Sequence, residues 1–138
     1  LALLNVENVE LQNLAAESLE LQVLFRTGES ELTVEGEERI KRLARMLDTQ
    51  ESLSIRLSGF ADPRGDAEYN NALSEARVAS IAEVLVASGV DAERISSEAF
   101  GDRFSIAAEG DLDAYALERR VSIEVVPALD ATNVAAVY

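Results

Sequence analysis

Two hydrophobic rhythms interleave along this chain, and no other property narrows its fold as far. In LELQVLF the apolar Leu19, Leu21, Val23 and Phe25 fall on one face of a period-two pattern. In LSIRLSG, Leu53, Ile55 and Leu57 do the same, so both segments read as half-buried strands. Between them TVEGEERIKRLARML reads as a helix. Thr33 sits at the N-cap, Glu35, Glu37 and Glu38 crowd the first turn, and Lys41, Arg42 and Arg45 lie toward the end, as the macrodipole prefers. Its buried stripe is Ile40, Leu43, Ala44 and Leu47. A longer helix is predicted from Asp66 to Ser88, with Val78, Ile81, Ala82 and Leu85 as its apolar face and Gly89 as its C′ residue. RISSEAF and RRVSIEVV read as two further strands, joined by a polar loop with room for a short helix near Ala114–Leu117. The β-α-β-α-β-β order predicts an α+β two-layer sandwich with helices on one sheet face.

Residues 1–18 fit either a short helix or an extended arm or linker, and 127–138 read as a tail. That leaves 19–126 as one domain. A chain of 138 residues can bury roughly two-thirds of its unfolded surface. With 26 acids against 12 bases the net charge is −14, which makes nucleic acid and anionic lipid poor partners. The chain has neither Cys nor His, which removes disulfides, thiol nucleophiles, imidazole catalysis and ordinary zinc sites; no cofactor is expected. No apolar run is long enough to insert into a membrane. The chain starts at Leu1 rather than Met and reads as a piece of a longer protein.

The stretch GFADPRGDAEYNNALSEAR, residues 59–77, carries the chemistry. Asn70, Ser74 and Arg77 lie within about 60° of one another on a helix, and Asn70 and Arg77 are roughly 10 Å apart along its axis. The preceding loop delivers Asp62 near the helix start, where free backbone N–H groups favour an anion. A guanidinium fork, a carboxylate and a helix start close together suit a zwitterion: its carboxylate to Arg77 and amides, its ammonium to Asp62. The alternative is structural, with Asp62 capping the turn or pairing with Arg77.

The spacing G-x-x-D-x-x-G-x-x-x-Y-N-x-x-L-S-x-x-R, carried by Gly59, Asp62, Gly65, Tyr69, Asn70, Leu73, Ser74 and Arg77, resembles the signature of OmpA-like (outer membrane protein A C-terminal) domains. VLFRTGESEL, SGVDAERI and ERRVSIEV extend the resemblance over residues 19–126. The acidic composition also resembles the OmpA-family proteins of proteobacterial sortase systems. The family resemblance implies a mixed four-stranded sheet and non-covalent binding of peptidoglycan, with Asp62 and Arg77 gripping the zwitterionic end of diaminopimelate in the stem peptide. It implies that Asn70 and main-chain amides around Leu73 and Ser74 assist, with Thr27 and Gly28 on the pocket's far wall. It further implies a periplasmic, envelope-anchored protein with no catalytic step. On that reading, Ala at position 62 or 77 removes binding and leaves folding intact.

There are departures. Phe60-Ala61 stands where the family carries a His-Thr or similar pair, Pro63 deletes a backbone donor from the anion site, and Glu118 replaces the usual Asn. An OmpA-like fold that has lost wall binding, and holds a protein partner or dimerises instead, is the alternative. A glycosidase would need two acids about 5–10 Å apart; Asp62 and Asp66 could be close enough, but nothing marks either as an acid with a raised pKa. Arg64-Gly65-Asp66 reads as a coincidental tripeptide, and the acids at 111 and 113 as a solvated face rather than a calcium site.

Overall fold

A computed structural model describes residues 19–127. The expected arm (1–18) and all but the first residue of the expected tail lie outside the described residues. The elements are β1 (Leu19–Leu24), α1 (Val34–Asp48), β2 (Leu53–Gly59), α2 (Ala67–Ala87), β3 (Ile95–Ala99), α3 (Leu112–Glu118) and β4 (Arg120–Pro127). The helix between the last two strands is a full element, capped at Asp111, whose side chain accepts from Ala114 N.

The sheet order is β1-β4-β2-β3. β4 is antiparallel to both neighbours, pairing Leu21 with Ile123 on one side and Leu57 with Ile123 on the other. β3 runs parallel to β2, with Ile55 opposite Ile95, because α2 supplies the crossover that a parallel pair requires. The sheet is therefore mixed. Leu19, Leu21, Val23, Leu53, Ile55, Leu57, Val121, Ile123 and Val125 share one face and form a single core with Ile40, Leu43 and Leu47 of α1 and Val78, Ile81 and Leu85 of α2. Alternate residues turn to the other face, which is polar: Arg56 pairs there with Glu124 at 2.8 Å, and Ser122 bonds Gln22.

Local chemistry sets the helix ends. Thr33 caps α1 by accepting from Gly36 N. α2 closes in a Schellman motif: Gly89 has φ +103, its N–H reaches Val86 O, and Val90 N–H reaches Leu85 O. Gly59, at the end of β2, meets α2 directly. A Cβ added there would lie 2.6 Å from Val78 Cγ2 and 2.7 Å from the Ser74 carbonyl oxygen. Gly59→Ala is expected to destabilise the fold by about 1–3 kcal/mol, measured as a lowered urea midpoint at unchanged slope.

Candidate ligand-binding site

The buried face of α2 is one continuous stripe: Asn70, Ser74, Arg77, Val78, Ile81 and Leu85. Its C-terminal half meets apolar side chains. Its N-terminal half meets loop backbone and the end of β2, which is why polar residues can occupy it. Arg77 is 0% exposed. Its Nε donates to Glu29 O (2.8 Å), Nη1 to Phe60 O (3.2 Å) and Nη2 to Arg26 O (3.1 Å), and the guanidinium lies 5.3 Å from the Phe25 ring centroid. The stem thus runs inward, joining the β1–α1 and β2–α2 loops to α2. Burial, and then the nearby Arg119 cation, lower its pKa to about 10, so it remains charged at neutral pH.

Asp62 does not pair with Arg77. Its Oδ1 accepts from Arg64 N (3.0 Å) and Arg64 Nε (2.9 Å), its Oδ2 accepts from Arg64 Nη2 (2.8 Å), and Arg119 Nη1 stands 3.7 Å away. The Asp62–Pro63–Arg64 turn makes this possible, since Pro63 fixes φ and the aspartate accepts from the N–H two residues on. Hydrogen bonding by the Arg64 side chain, assisted by its backbone N–H and by both arginine charges, holds the Asp62 carboxyl below the usual carboxylate range despite burial. A lowered pKa is the opposite of what a glycosidase acid needs. Asp66 is engaged elsewhere, capping α2 by accepting from Tyr69 N at 2.7 Å. Its carboxylate therefore fills the anion position at the helix start.

One small cavity, about 70 Å³, gathers much of the predicted set. Thr27 and Gly28 line it from the β1–α1 turn, Ala61, Asp62 and Arg64 from the β2–α2 loop, and Tyr69, Asn70 and Leu73 from the first turns of α2. Ser74 and Arg77 are not in its lining. Ser74 Oγ donates to Asn71 O and accepts from Gly101 N. Asn70 Nδ2 donates to Asp102. The amides of Leu73 and Ser74 lie more than a turn inside α2, where the helical ladder takes up backbone N–H groups. Arg64, Arg119 and Tyr115 belong to the site and were not singled out as site residues in the sequence; only the Asp-Pro-x turn could have pointed to Arg64. The departure at Glu118 has a local role, its carboxylate accepting from Ser105 Oγ, Ile106 N and Ala107 N. Among the described residues no group of three or more His, Cys, Asp or Glu could hold a metal, and no helix is long and apolar enough to cross a membrane.

Comparison with known proteins gives the family of this four-stranded mixed sheet and its helices. The OmpA family profile matches residues 24–118, and the chain belongs to that family. It is 31% identical over 120 residues to outer membrane protein A of Serratia odorifera, covering 78% of this chain and 49% of that protein. It is 28% identical over 99 residues to a peptidoglycan-associated lipoprotein of Agrobacterium fabrum, covering 72% of this chain and 56% of that one. The crystal structure of the peptidoglycan-associated lipoprotein from Burkholderia pseudomallei superposes with a TM-score of 0.71 at 23% identity, over 75% of this chain and 88% of that one. The chain thus spans about half the length of these two curated relatives, an outer membrane protein and a peptidoglycan-associated lipoprotein.

Burial reverses one expectation about folding. Arg77→Ala would take the guanidinium from three loop carbonyls, of which Arg26 O keeps the Glu29 N–H, and would leave a void, so a loss of roughly 3–5 kcal/mol is expected. Arg77→Lys should not restore it, because one ammonium cannot span three divergent acceptors; denaturant unfolding of both variants checks this. For Asp62, the folded pKa lies below the unfolded one. Its pairing therefore adds stability above the ordinary carboxylate range and loses it as pH falls through the depressed folded value. The stability difference between the native domain and Asp62→Asn should be constant near neutrality and shrink only in acid.

Proposed function

We propose that this domain binds peptidoglycan non-covalently through the diaminopimelate of the stem peptide, and so anchors a longer envelope protein to the wall from the periplasm. The observation that carries this reading is the convergence of Asp62, Asn70, Leu73, Thr27 and Gly28 on one cavity. Around the Asp62 carboxylate, Arg64 and Arg119 form ion pairs and Arg77 feels its charge. Three cations about one anion make a locally positive site on a protein of net charge −14. A ligand ammonium would be received by Asp62, and a ligand carboxylate drawn by the field of Arg77 and Arg119. The name of the Agrobacterium relative, a peptidoglycan-associated lipoprotein, supports the assignment.

One observation favours a second reading. Arg64 already fills Asp62, as it would in an OmpA-like fold that has given up the wall and serves as a protein-interaction or dimerisation module. Calorimetry separates the two. A soluble stem peptide carrying meso-diaminopimelate should release heat, the same peptide with lysine in that place should bind far more weakly, and Asp62→Ala should abolish binding with its Tm within a few degrees of the native domain. No heat at millimolar peptide, with no retention on purified sacculi, would favour the interaction module.

A further inference from the structure

Both oxygens of Asp62 are covered by one residue. Arg64 binds Oδ1 through its backbone N–H and Nε, and Oδ2 through Nη2. The same Nη2 reaches across the cavity mouth to Thr27 Oγ1 at 3.3 Å, and the guanidinium lies 4.8 Å from the Tyr115 ring centroid. Arg64 therefore bridges the β2–α2 loop, the β1–α1 turn and α3. The two partners are unequally held. The Asp62 side chain is 8% exposed, and that of Arg64 is 42% exposed on a long flexible stem. Arg64 forms part of the wall of the small cavity into which Asp62 faces.

A cationic N–H donor is also what an ammonium ligand would present to Asp62. We propose that Arg64 is a built-in latch: its guanidinium occupies the ammonium subsite at Asp62, and a ligand ammonium enters by displacing it toward solvent. The inference rests on the wall-binding reading and adds to it a residue that sets affinity and selectivity. Since the Arg64 head is partly solvated, exchange is cheap and binding is weakened rather than prevented. Only ligands with a free ammonium gain from the exchange, which makes Arg64 a filter against neutral or acylated side chains.

The test titrates the native domain, Arg64→Ala and Arg64→Lys with the meso-diaminopimelate peptide, and with the same peptide acetylated on the diaminopimelate side-chain amine. Arg64→Ala should bind the free amine roughly three- to tenfold more tightly than the native domain, with Arg64→Lys in between. The gain should vanish for the acetylated peptide. Arg56→Ala, which removes the same charge from the open sheet face, should leave affinity unchanged and so exclude a general charge effect. In native protein the Arg64 Nε–H resonance should move to a solvent-exchanging position at saturation. If the native domain binds and Arg64→Ala binds equally or less tightly, the latch is wrong while wall binding stands. If only Arg64→Ala binds within the range measured, the latch is supported, with native affinity weakened beyond that range. If none binds, both ideas fall together.

Discussion

One buried cation ties together the loops that form the cavity. A guanidinium taken out of water is costly unless its N–H groups are matched, and Arg77 finds its matches in backbone carbonyls of two loops that are far apart in sequence. Those loops have no regular secondary structure of their own. Arg77 supplies what a sheet ladder would otherwise provide, holding the Arg26–Glu29 turn and the Phe60 backbone at fixed distances from α2. Gly59 allows α2 to come that close, and Ser74 fastens the Gly101 turn on the other side. The carboxylate of Asp62 thus stands on a scaffold whose central support is a positive charge.

That support also shapes the local field. The protein as a whole repels anions, yet Arg77 and Arg119 are fixed within a short range of Asp62, and Arg64 closes on it from outside. Burial weakens screening of the inner charges, while the outer one stays in contact with water. An acidic exterior with three arginines gathered about one buried carboxylate is the charge pattern on which the proposed binding of a mixed-charge ligand rests. The rigid and mobile parts of the site are therefore different residues: Asp62 and Arg77 are held, and Arg64 can move.

Much of the fold was legible because strand alternation, capping and the glycine stop after α2 are local signals. Thr33, Gly89 and the apolar stripes stand where the periodicity placed them. The site was legible as a set of residues and less so as a set of contacts. Asn70, Ser74 and Arg77 do share one helical face, but whether that face meets water or backbone depends on what packs above it. Asp66 looked like the first residue of a helix and is its cap, so the helix start already has its anion. Arg64, read as part of a chance tripeptide, is the principal partner of Asp62, because the Pro63 turn folds it back by two residues.

By itself the sequence determined the elements, their order, the faces they bury and the family to which they belong. All of these follow from hydrophobic period, capping chemistry and a spaced motif within a few turns of chain. Tertiary structure alone decided who pairs with whom among the charges. The partners of Arg77 lie 17 to 51 residues away along the chain, and the arginine at Asp62 is chosen by loop geometry rather than by charge. Ion pairing depends on distance and desolvation, and neither exists until the loops have been brought together.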